Sequence, residues 1–67
     1  MIKCHLSRFL GEKRLKVMDV SRDTGLNKGT LYRLYNETAE RIDLDTIDKL
    51  CIYLDCEVGE LLEYQKP

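Results

Sequence analysis

Tryptophan is absent from this 67-residue chain, proline occurs once, at the last position, and histidine once, at His5. Without an internal proline, nothing in the chain forces a helix to stop or kink. One histidine gives no His pair for a metal or a proton relay. The three cysteines, Cys4, Cys51 and Cys56, are odd in number and contain no CxxC pair. That excludes a disulfide framework and a zinc knuckle as organising features. Cys51 falls on an apolar helical stripe and reads as a small buried hydrophobe. Nothing in the spacing of Cys4, His5, Cys51 and Cys56 presets a metal geometry. Apolar runs stay far below the roughly 20 residues of a membrane span, and no signal-peptide core follows Met1. A cytoplasmic protein is expected. Also missing are a clustered nucleophile, a phosphate-cradling glycine loop and paired carboxylates. Neither an enzyme nor a cofactor, metal or small-molecule ligand is expected.

What remains is an ordinary helix-friendly mixture, 43% hydrophobic and 34% charged. Its length suits one domain over residues 1–67, and a domain this small buries only about 60% of its unfolded surface. Self-association is a natural remedy. Net charge is −1, an unpromising value for a nucleic-acid partner, but its distribution is uneven. Residues 1–36 carry eight cations (Lys3, Arg8, Lys13, Arg14, Lys16, Arg22, Lys28, Arg33) against three anions, +5 in all. Residues 37–67 carry three cations against nine anions, −6 in all. A basic working face and an acidic back are implied.

The basic half contains a helix-turn-helix pattern from Val17 to Asn36. Ser21 is the small residue needed where two steeply crossed helices touch, and Gly25 supplies the positive φ of a tight connection. Asn27 stands at an N-cap position, its side-chain oxygen placed to accept from an orphan amide. Val20, Leu26, Leu31 and Leu34 fall inward. The spacing predicts helices over about 5–14, 17–24 and 28–35, with Ile2–Cys4 a loose arm or small strand. A fourth helix follows Asp43 as cap, with Leu44, Ile47, Leu50, Cys51 and Leu54 as its stripe. A fifth covers about 58–63 and brings in Leu61 and Leu62. The expectation is an all-α fold of five short helices around one core.

Such a motif holds its second helix clear of the body, where it fits a DNA major groove. At about 100° per residue, Leu31 and Leu34 define the buried side of that helix. Gly29, Tyr32, Arg33 and Asn36 face away from it, with Lys28 at the edge. This outward set is rich in donors and has no acid. Arg33 offers a planar fork matching guanine O6 and N7, Lys28 reaches a guanine edge or a phosphate, and Tyr32 a thymine methyl or the DNA backbone. Gly29 allows close approach to the groove floor. Phosphate contacts are assigned to Thr30, Asn36, Asn27, Lys16 and the free amides beginning at Val17, and to Arg41 in the following connection. Arg22, on the outer side of the second helix, is a further cation.

On these residues the chain resembles the phage-repressor-like Xre/Cro family of helix-turn-helix regulators over nearly its whole length. Leu44–Leu54 looks like the family's fourth helix and Asp55–Leu62 like its closing turn and helix. The resemblance implies a compact five-helix repressor-like domain, double-stranded DNA as partner, operator binding as a homodimer, and transcriptional control. Three positions depart from the family pattern. Val17 stands in place of a phosphate-binding glutamine. Thr24 occupies a usually apolar place, a mild packing loss. Tyr35 replaces an acid, which puts a bridge from the third helix to the first in doubt. Val58, Leu61 and Tyr64 exceed what a small core absorbs and are the dimer candidates. The competing reading is a protein-interaction adaptor that reuses the fold, antitoxin-like or anti-repressor-like, with the acidic half as its binding face.

Overall fold

In a computed structural model that describes residues 1–67, helices form wherever apolar residues recur at steps of three and four. The elements are β1 (Ile2–Cys4), α1 (Leu6–Lys13), α2 (Val17–Thr24), α3 (Lys28–Tyr35), α4 (Leu44–Leu54), α5 (Val58–Leu61) and β2 (Leu62–Tyr64). Leu6, Phe9 and Leu10 of α1, Val17 and Val20 of α2, and Leu31 and Leu34 of α3 meet in one core. Leu26 joins them from the α2–α3 turn, Leu50 and Leu54 from α4, and Leu61 from α5. None of the helices is long and apolar enough to cross a membrane.

Three helix ends share one geometry. Arg14, at φ 56°, donates to the Gly11 carbonyl at 3.3 Å, and Leu15 donates to that of Leu10 at 2.9 Å. Asp55, at φ 52°, donates to Ile52 at 3.3 Å, and Cys56 donates to Cys51 at 3.0 Å. After α3, Glu37, at φ 57°, donates to Leu34 at 3.2 Å and Thr38 donates to Arg33 at 2.8 Å. All three are Schellman motifs, which satisfy the last helical carbonyls.

The sheet corrects the all-helical expectation. Chain beyond Leu61 leaves the helix and pairs antiparallel with β1, in the register Ile2–Tyr64, Lys3–Glu63 and Cys4–Leu62. The fifth helix is therefore one turn, ending at Leu61 rather than at residue 63. Non-local bonds hold it there. The His5 amide donates to the Leu61 carbonyl at 2.8 Å, and His5 Nε2 meets Glu63 Oε1 at 2.8 Å.

Three smaller expectations also change. Leu44 is 84% exposed, because it stands in the first turn of α4 before the helix reaches the core. Its place on the buried face is taken by Thr46. Asp43 has the extended backbone of an N-cap, but its carboxylate accepts no bond from the helix. Cys51 is half-buried at the core's margin rather than inside it.

Candidate nucleic-acid interface

The α2–α3 unit is held by hydroxyls as well as by packing. Gly25 turns the chain at φ 77° and donates to the Ser21 carbonyl at 2.8 Å. The Ser21 hydroxyl crosses the turn to the Leu26 carbonyl at 2.7 Å. Thr24 donates its hydroxyl to the Val20 carbonyl at 2.6 Å and accepts the Leu26 amide at 3.1 Å. A threonine at this usually apolar place thus serves the turn's polar groups, so the expected loss is offset by bonds that an apolar side chain could not make. With its hydroxyl satisfied twice, the turn fixes where α3 begins.

Asn27 begins it. Its Oδ1 accepts the Thr30 amide at 3.1 Å, the N-cap bond expected from the sequence. Leu31 and Leu34 seat α3 on the core, leaving Lys28, Tyr32, Arg33, Tyr35 and Asn36 exposed and Gly29 and Thr30 half-exposed. Arg33 does not stand straight out. Its Nη2 donates to Thr30 Oγ1 at 3.4 Å, and Nη1 lies 3.5 Å from where a Cβ on Gly29 would be. The guanidinium therefore lies back over the first turn of its own helix, as side chains in helices lean. The missing side chain at Gly29 leaves room for it.

The chain after α3 doubles back under it. The Arg33 carbonyl accepts the amides of Thr38 and Ala39, at 2.8 and 3.2 Å. Arg33, Thr38, Glu40 and Arg41 then line one shallow polar cleft. Glu37, in the left-handed region at φ 57°, sends Oε1 to the Cys4 amide at 3.1 Å, tying the end of α3 to β1. This bond, rather than a bridge from α3 to α1, anchors the helix end.

Charge pairing separates the cations into two groups. Arg22 is held between Asp19 at 3.3 Å and Asp23 at 3.1 Å, which raises its pKa further, and this removes it from the set of free cations. Arg8 pairs with Glu12 and Lys49 with Asp45. Lys16, Lys28, Arg33 and Arg41 have no carboxylate partner. At the start of α2, Asp19 Oδ2 takes the Lys16 amide at 2.8 Å. The amides of Val17 and Met18 remain as first-turn donors without helical partners. The anion site expected there is narrowed by one amide and by a nearby negative charge.

The sequence of residues 5–67 matches the family model of the Cro/C1-type HTH DNA-binding domain, which spans all five helices. The chain belongs to the Cro/C1-type helix-turn-helix family. Over 57 residues it is 32% identical to YozG of Bacillus subtilis (strain 168), described as an uncharacterised HTH-type transcriptional regulator. That alignment covers 85% of this chain and 68% of YozG. The present chain is a DNA-binding regulator of the Xre/Cro kind.

Within this Cro/C1-type domain the expected dimer residues divide. Val58 is 52% exposed and Tyr64 is 65% exposed, beside an exposed Ile2 in the facing register position. Leu61 is fully buried, as the inward reading of the fifth helix has it, and this corrects its place among the dimer candidates. Sequence reasoning missed Thr38 and Glu40 at the Arg33–Arg41 cleft. No periodicity marks them, because carbonyl bonds to a loop place them there. It also missed Tyr53, whose hydroxyl donates to Asp23 Oδ2 at 2.5 Å and ties α4 to α2. That bond, with Arg22 second, holds the Asp23 carboxyl below its ordinary range and the Tyr53 phenol above its own.

Proposed function

We propose that this Cro/C1-type domain is a repressor that lays α3 in the major groove of a near-palindromic operator as a homodimer. One observation carries the reading. The exposed side of α3 presents Lys28, Tyr32, Arg33 and Asn36 with no acid on the helix and no ion pair on either cation. Unpaired cations on an exposed face are desolvated cheaply when they meet phosphate or a base edge.

Arg33 reads guanine through its fork, since its weak 3.4 Å bond to Thr30 is easily exchanged for guanine O6 and N7. Lys28, at the helix start, contacts a base edge or phosphate, and Tyr32 packs on a thymine methyl. Gly29 keeps the first turn close to the groove floor. Thr30, Asn36 and the Asn27 amide nitrogen contact phosphate, together with Lys16, the Val17 amide and Arg41. In the dimer, Val58 and Tyr64 meet their counterparts, and the two recognition helices stand about 34 Å apart, one turn of duplex. The protein works in the cytoplasm, on the chromosome.

The test is selection of bound sequences from a random duplex pool, followed by binding to the selected site with Lys28→Ala and Arg33→Ala. Enrichment of an inverted repeat that both variants fail to bind supports the reading. A pool without an enriched motif at moderate salt would transfer the role to protein capture by the acidic half.

A further inference from the structure

The Schellman turn after α4 brings together two thiols that DNA recognition does not use. In this motif the residues at the outer bonded positions frequently make an apolar contact. The equivalent turn after α1 joins Leu10 and Leu15. After α4 the same bonds join Cys51 and Cys56, with the Cys56 amide 3.0 Å from the Cys51 carbonyl. Both cysteines are free and half-buried, packed on the core at one side and reaching solvent at the other. Burial comes first among the causes that push the Cys56 thiol up to about 11, followed by the neighbouring Cys51. The two outer bonded positions of this turn thus both carry thiols at one corner of the fold. Cys4, also half-buried, lies on β1 and has no thiol partner.

We propose that Cys51 and Cys56 are a modification site: a thiol pair that low-molecular-weight disulfides convert to an intramolecular disulfide across the α4–α5 corner. The exchange has two steps. One protein thiolate attacks a reagent sulfur, forms a mixed disulfide and expels one small thiol. The second attacks the protein-side sulfur, closes the Cys51–Cys56 bond and expels the other. Two protein thiols lose two electrons and two protons, and the reagent disulfide is reduced to two thiols. A high-pKa thiol is slow to ionise and poor as a leaving group. Whichever thiol reacts first, the other closes the bond, and a reductive attack that must expel a high-pKa thiol is slow.

The folded 67-residue chain, fully reduced, is incubated with oxidised glutathione, quenched with an alkylating reagent and mapped by mass spectrometry. The expected result is joint loss of alkylation at Cys51 and Cys56, a direct link between their peptides, and full alkylation at Cys4. Dithiothreitol should restore both thiols. The rate should be unchanged in sub-denaturing urea, since the native turn supplies the geometry. In Cys56→Ser, glutathione should remain on Cys51 as a stable mixed disulfide. Disulfide-linked dimers, persistent glutathione on the wild-type chain, complete alkylation of both residues, or a rate rising steeply with urea would each overturn the proposal. The wild-type mapping decides it even if the serine variant does not fold.

Discussion

Arg33 and Gly29 act as a pair on α3, because the guanidinium lies over the turn where glycine has no side chain. A methyl added at Gly29 would sit 3.0 Å from Asn27 Oδ1, which already serves as the helix cap. Two opposing effects follow for Gly29→Ala. Helix propensity gains about 1 kcal/mol, and crowding of the cap takes back a similar amount, about 1 kcal/mol if the cap bond is lost. Stability by urea titration should stay nearly constant while operator affinity falls, since the methyl projects from the face that approaches DNA. A loss of affinity matched by an equal loss of stability would locate the effect in the cap instead. Arg33→Lys keeps the charge and removes the fork. Discrimination at the base it reads should drop by about 1–3 kcal/mol, with the salt dependence of binding unchanged. The residue types on this face were readable from a helical wheel, and α3 has the boundaries that the capping pattern predicts. The bend of Arg33 over Gly29 was not readable, because a rotamer depends on neighbours that a wheel treats only as angles. Arg22 shows the same limit: its two carboxylate partners are visible only once α2 is folded.

At the scale of elements, local rules placed the helices well, left β1 between a loose arm and a small strand, and missed β2. Gly25 and Asn27 bracket the turn with conformational and hydrogen-bonding preferences that act within a few residues, so α2 and α3 match expectation closely. Asn27→Ala tests that local logic. It should cost about 1 kcal/mol, lowering the midpoint of thermal unfolding by about 4–8 °C in calorimetry. β2 depends instead on pairing with β1 from the other end of the chain, and no local pattern in Leu62–Tyr64 announces it. The α2–α4 tie through Asp23 and Tyr53 is equally non-local, and it yields a pH signature. Asp23 is depressed, so its contribution is present above its ordinary value of 3.8 and lost as pH falls through the lower folded value. Tyr53 is raised, so its contribution is present below its ordinary value of 10.0 and lost as pH rises through the higher folded value. Tyr53→Phe should therefore be less stable than wild type by a constant margin between these limits. The margin should narrow in acid and again in alkali when thermal midpoints are compared across pH.

For the molecule as a whole, charge and exposure make linked demands. The overall charge of −1 gives no net long-range attraction to DNA, so binding must come from the local set Lys16, Lys28, Arg33 and Arg41. Two copies on a palindrome that neutralise about six phosphates should lose on the order of 10³-fold in affinity between 50 and 200 mM salt. Arg41→Ala should lower the slope of log affinity against log salt by about 1 for each copy bound, with no change in the preferred sequence. A lone copy cannot reach that full slope, which makes salt titration a measure of assembly as well. Val58 and Tyr64 are exposed, so Val58→Glu with Tyr64→Glu should leave the fold intact while placing acids against their counterparts in a dimer. Sedimentation should then show monomer at concentrations where wild type associates, and the salt slope on the palindrome should fall to about half the wild-type value. A double variant that still sediments as a dimer would move the contact to another face. One that becomes monomeric yet keeps the full slope would mean that the paired half-sites, rather than protein contacts, hold the two copies together.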